Sequence, residues 1–150
     1  MRRATIGSIV ALGLLVAFEA HAQTEKWDQA KVTSLAGELT NAVSGLRDSL
    51  RNSAQWQIWT EADDSLYGIA EDLRMMESEA ISLNADLAKG EGMKQTLPAY
   101  MRVQQIHREL AQYKGQMDVG AFLAPPLAKA KAVLAQLAVY YPAQPKLAAI

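Results

Sequence analysis

The chain contains no cysteine. That excludes disulfides, a thiol nucleophile, a C-x-x-C redox pair, a C-x-x-C-H haem attachment and a lipid held on a cleaved cysteine. Histidine is almost as scarce, with only His21 and His107. His21 falls in a segment expected to be removed, so a two-histidine zinc site is excluded from the remainder. The carboxylate-bridged di-iron pattern requires Glu-x-x-His on two helices. Gln104 stands three residues before His107, so that pattern does not occur even once. No phosphate-cradling G-x-x-x-x-G-K-[ST] run is present; "KGEGMK" at residues 89–94 lacks the spacing. There is no G-x-S-x-G elbow and no D-x-[DN]-x-[DN]-G calcium loop. A hydrolase would have to use His107 as its base, with no acid–base partner identified by motif.

Charge of one sign is also lacking: 15 Lys and Arg face 16 Asp and Glu, for a net charge of −1. A nucleic-acid binder needs a basic footprint, and none is visible. The charges are nevertheless segregated. Residues 61–88 carry eight acids against Arg74 alone, whereas residues 89–150 carry three acids and eight bases. Two readings follow: helices that complement one another within one domain, or a surface that steers a charged partner.

The longest apolar run is the N-terminal "IGSIVALGLLVAF", residues 6–18. Arg2 and Arg3 precede it, Glu19 closes it, and Ala20-His21-Ala22 supplies an A-x-A cleavage signal. The run is shorter than the roughly 20 residues that span a bilayer. Residues 1–22 are therefore expected to be a cleaved signal peptide. Gln23 would be the first mature residue and the product a soluble periplasmic one. No membrane span is expected in the mature chain. The remainder is one domain by length, large enough to bury a core without staples.

No segment alternates like a strand; every long segment has helical periodicity. The first, from about Lys26 to Leu50, aligns Val32, Leu35, Leu39, Ala42/Val43, Leu46 and Leu50. The second places Ala62, Leu66, Ile69, Leu73, Met76, Ala80, Leu83 and Leu87 at alternating steps of four and three, an a/d seam. Trp59 and Trp56 continue it backwards by threes, so this helix begins anywhere from Ser53 to the Thr60/Asp63 capping pair. The third, about Gln95 to Met117, aligns Tyr100, Val103, Ile106/His107, Leu110, Tyr113 and Met117. The fourth is expected from Pro126, whose missing N–H suits a first turn, to Tyr141, with Leu127, Ala130, Leu134 and Leu137. Gly90 and Gly92 end the second segment, and "GQMDVGAFLAPP" at residues 115–126 separates the third from the fourth. The expected fold is all-α: an antiparallel four-helix bundle over residues 23–141, followed by a loose tail, 142–150.

Two groups of residues stand out. "SAQWQIWTEADD", residues 53–64, holds Trp56, Ile58 and Trp59 beside Asp63 and Asp64. The tryptophans either plug the end of the bundle or anchor a partner. The acidic face of the second helix either is solvated or holds a hard cation weakly. The second group comes from the hairpin expected about Glu91. It sets Leu73 opposite Leu110, Ala80 opposite Val103, Leu83 opposite Tyr100, and Met76 opposite His107. Met and His form the axial set of some haem proteins, and Met75, Met101 and Met117 add thioethers for a soft ion such as Cu(I). Against this, Met is an ordinary core filler. The exported, cysteine-free bundle resembles cytochrome b562 in shape. Those proteins draw their ligands from the first and last helices, which here contain neither Met nor His, so no function follows from the resemblance.

The reading is an exported periplasmic helical protein, not an enzyme, that binds an unidentified protein or small ligand as a monomer or homodimer. It uses Trp56, Ile58, Trp59, Asp63 and Asp64 and carries no cofactor. The alternative is a bundle that binds haem b or a soft metal ion through Met76 and His107.

Overall fold

A computed structural model of the chain describes residues 25–53, 64–113 and 120–142. Among these residues there are four helices and no strand: α1 (Gln29–Arg51), α2 (Asp64–Ala88), α3 (Met93–Tyr113) and α4 (Gly120–Ala138). None is long and apolar enough to cross a membrane.

Helix α1 starts where Asp28, in an extended conformation, accepts a hydrogen bond from the Lys31 backbone N–H and satisfies one orphan donor of the first turn. Its apolar line is buried from Val32 to Leu50, together with Ala36, which the periodicity did not single out. The α2 seam is as regular as its spacing predicts. Ile69, Leu73, Met76, Ala80, Leu83 and Leu87 are each 2 % exposed or less. These two seams face each other. Gln29 Nε2 donates to the Leu87 carbonyl, Thr40 Oγ1 contacts the Ala80 carbonyl, and Ser44 and Arg47 both reach Glu77. Partner numbers fall along α2 as they rise along α1. Helix α3 then packs on α2 and α4 on α1, so the α1–α2 pair is the spine of the bundle.

Gly90 terminates α2. Its φ of +91° is a conformation that L-residues disfavour. Its N–H donates to the Leu87 carbonyl at 3.0 Å, and the Glu91 N–H reaches back to Asp86 at 3.0 Å. This is a Schellman motif, and it satisfies two carbonyls that the helix end would otherwise leave open. Two residues later α3 begins.

At this end of the bundle the helices are closed by aromatics. Tyr141, just past α4, stacks on Tyr100 of α3 with ring centroids 4.1 Å apart and planes at 8°. Trp27, just before α1, meets Tyr141 edge-on at 5.5 Å. The Tyr141 hydroxyl shares a 2.8 Å hydrogen bond with Thr96, which is fully buried. Burial pushes the Tyr100 hydroxyl up to about 12, despite the hydrogen bond donated to it by Gln104. The polar ends of these rings are thus partnered, as buried tyrosines require. Trp56 and Trp59, expected either to plug the bundle end or to anchor a partner, lie outside the described residues, as does the Thr60/Asp63 pair.

The third and fourth helices differ from expectation at their starts. α3 begins at Met93 rather than Gln95 and carries Pro98 inside it. α4 begins at Gly120 rather than Pro126, and Pro125 and Pro126 both lie within it. Internal proline costs a helix about 3 kcal/mol, which is why the pair reads as a boundary. The lost hydrogen bonds, however, are confined to carbonyls of the first turn, Ala121 and Phe122. In the sequence the Tyr141, Leu137, Leu134, Ala130 and Leu127 line also runs on to Leu123 at the same spacing.

Nothing lies within 4 Å of where a Cβ on Gly90 would sit, so the cost of a side chain there is backbone strain alone. Gly90→Ala should lower unfolding free energy by about 1–2 kcal/mol. Leu83→Ala, at a fully buried seam position, should cost about 2–5 kcal/mol. Urea denaturation followed by circular dichroism separates the two.

Candidate functional site

Four acidic residues of α2, Glu71, Glu77, Glu79 and Asp86, are paired within the fold. Glu77 accepts from Ser44 at 2.8 Å and pairs with Arg47 of α1. Glu79 pairs with Arg102 of α3 at 2.9 Å. Glu71 holds Arg74 by two hydrogen bonds of 2.9 and 2.5 Å, and Asp86 pairs with Lys89 at 3.3 Å. At Glu77 and Glu79 the segregation of charge along the chain is helix-to-helix complementarity, whereas the Glu71–Arg74 and Asp86–Lys89 pairs are local, three residues apart. The hydrogen bond from Arg74 holds the Glu71 carboxyl below its ordinary range. Asp72 is pushed the other way, by burial and then by Glu109 and Glu71. Among the described residues no group of three or more potential ligands could hold a metal ion. Of the acids singled out by sequence, Asp63 lies outside the described residues; Asp64 is the first residue of α2, and its side chain is not described.

His107 sits on α3, half-buried, and its Nε2 is fully buried without a hydrogen-bond partner. Its pKa is lowered from the ordinary 6.5, first by burial and then by Lys131 of α4 and Arg108 beside it. The neighbouring turns carry Arg102, already paired with Glu79, and Glu109, which accepts from Gln105 at 3.0 Å. Burial first, and then the two cations, disfavour the protonated imidazole, and no carboxylate contributes to the shift. Met76, predicted opposite it, is fully buried in the α2 seam. Met75 is half-buried against the core, and Met117 lies outside the described residues. A neutral imidazole with a free buried nitrogen is chemically a ligand for a soft ion. Lys131 and Arg108, however, make the same place electropositive and raise the cost of seating a cation there.

A third place was not anticipated. An open cleft of about 250 Å³ lies between the end of α1 and the beginning of α2. Among the described residues it is lined by Arg47, Leu50 and Arg51 from α1 and by Tyr67, Ala70, Glu71 and Arg74 from α2. Both sets follow helical spacing, so each helix presents one stripe to it. Leu50 and Ala70 give it an apolar floor. Arg51, in the last turn of α1, favours the negative end of that helix dipole and makes no ion pair among the described residues. Tyr67 stands at the rim with 73 % of its surface exposed. In the sequence Arg47 and Arg51 each follow a seam residue of α1, Leu46 and Leu50, and Tyr67 follows Leu66 of the α2 line, but no motif marks them as a cluster. Trp56, Ile58 and Trp59 belong to the segment that joins the two walls and lie outside the described residues.

The chain matches none of the known protein families, curated proteins or solved structures with which it was compared.

The lowered pKa of His107 gives a signed expectation. The unfolded chain takes up its proton near pH 6.5, before the folded chain does. Stability linked to His107 is therefore fully present above that pH and is lost as pH falls through the folded value. His107→Gln should flatten the decline in denaturation midpoint between pH 7 and about 5.5, where carboxylates contribute little. An unchanged slope would show that His107 is not the group responsible.

Proposed function

We propose that this is an exported periplasmic protein, an antiparallel four-helix bundle with a non-catalytic binding role whose contact surface is the α1–α2 end. The cleft there carries the reading: it combines an apolar floor, a largely exposed tyrosine and three guanidinium groups. Its charged lining suits holding a ligand better than transforming one. The arginines stay protonated, and Glu71 is held ionised by Arg74. Trp56, Ile58, Trp59, Asp63 and Asp64 join Arg51 to Tyr67 in the chain and are assigned to the same surface. The antiparallel arrangement draws support from the descending pairings of α1 with α2. The Glu79–Arg102 pair, close to the predicted hairpin pairing, supports it as well. Export rests on the Arg2-Arg3, apolar-run and A-H-A pattern of the first 22 residues.

A second reading, haem b or a soft metal ion between α2 and α3, has one observation in its favour: the unpartnered Nε2 of His107. The cations beside it weigh on the other side. Native mass spectrometry of the protein expressed with its own leader and purified from the periplasm decides between them. The expected result is the mass of the chain from Gln23 onward, with no haem or metal added. A retained leader would overturn export. Added haem or metal that disappears in His107→Ala would replace the binding role with the carrier role.

A further inference from the structure

The lining of the α1–α2 cleft specifies more than a place of contact. Among the described residues the lining holds three arginines and one carboxylate, Glu71, beside the apolar Leu50 and Ala70. Arg47 and Arg74 already hold Glu77 and Glu71, which fixes their guanidinium groups in position while leaving further N–H donors free. Arg51 contributes a fork that no described carboxylate occupies. The cleft is open, and its roughly 250 Å³ is below the range of pockets that enclose drug-sized ligands. It matches one large side chain presented from outside. Exposed tyrosine at a rim and arginine on the walls are the residue types enriched at protein–protein contacts.

We propose that the cleft seats an acidic segment of a partner protein. One apolar side chain of that segment lies on Leu50, Ala70 and Tyr67, and the flanking carboxylates are held by Arg51 and by the free N–H groups of Arg47 and Arg74. The inference rests on the binding role proposed above and adds the chemistry of the partner. Planar, bidentate recognition of carboxylates is what arginine does better than lysine. The apolar floor accounts for selectivity over free anions, which have nothing to place there.

Fluorescence anisotropy with labelled peptides tests it on the full mature chain. The probes are Glu-Asp-Phe-Glu-Asp, its counterpart with Gly for Phe, and its counterpart with Lys for each acid. The acidic aromatic peptide should bind, more weakly as salt is raised. Replacing its Phe by Gly, or using the Arg51→Gln or Tyr67→Ser protein, should weaken binding about tenfold each. Both protein positions are exposed, and circular dichroism confirms that the variants fold. Equal binding to Arg51→Gln would overturn the proposal. Preference for the Lys peptide, lost in Tyr67→Ser, would overturn the acidic partner but keep the cleft as a binding site. Competition by acetate or phosphate at comparable affinity would replace the peptide with a free anion. A concentration-dependent dimer in sedimentation, abolished by Arg51→Gln, would make the occupant a second copy of the chain. No peptide, anion or self-association would overturn both this inference and the binding role.

Discussion

The structure depends on the contact between two buried seams, that of α1 from Val32 to Leu50 and that of α2 from Ile69 to Leu87. Each of the other helices packs on one member of this pair, α3 on α2 and α4 on α1. The seam spacing of alternating threes and fours keeps one face of α2 towards its neighbours from Ile69 to Leu87. Polar contacts then lie along the edges of this contact: Thr40 to the Ala80 carbonyl, and Ser44 and Arg47 to Glu77. These contacts are part-buried, and a hydrogen bond of this kind contributes about 0.5–1.5 kcal/mol net. Their larger effect is to fix which turn of α1 meets which turn of α2.

The two ends of this spine differ in kind. At the end where α1 begins, the chain is closed by Trp27, Tyr100 and Tyr141, with Thr96 partnering the buried hydroxyl. Gln29 ties the same end together. It accepts from the Trp27 indole at 2.9 Å and donates to the carbonyls of Leu87 and Glu91 at 2.8 and 3.0 Å. At the other end, the last turn of α1 and the first turns of α2 leave a cleft open, with arginines on its walls and Tyr67 outward. One end is built for cohesion, with the Trp27 indole N–H and the hydroxyls of Tyr100 and Tyr141 all partnered. The other offers both charge and apolar surface.

The seams of α1 and α2 were legible in the sequence because one periodicity governs them without interruption. The Gly90 break was legible because only a residue tolerant of positive φ fits there. Internal prolines hid the beginning of α4. Local rules place Pro125-Pro126 at a boundary, and tertiary packing of the Leu127–Tyr141 line carries the helix through them. The aromatic closure was hidden for a different reason. Trp27, Tyr100 and Tyr141 are far apart in the chain, and only the assembled helices bring their rings together. Trp56 and Trp59, by contrast, stand three residues apart and are conspicuous in one dimension. His107 stands out by its rarity, but what lowers its pKa, burial first and then Lys131 on another helix and Arg108, exists only in the assembled fold. The Arg47, Arg51 and Arg74 cluster is likewise a product of two helices side by side, and no one-dimensional motif marks it.

The central claim is that this chain acts by contact at its α1–α2 end. It is tested most directly by photo-crosslinking in the producing cell, with p-benzoylphenylalanine placed at Tyr67 or at Ile81. Both positions are exposed, at 73 % and 50 %, and both lie on α2, but only Tyr67 borders the cleft. The expected result is a discrete protein adduct from position 67 that is absent from position 81 and is lost when Arg51 is changed to Gln. Equal adducts from both positions, or adducts from position 81 alone, would contradict the claim and move the functional surface elsewhere.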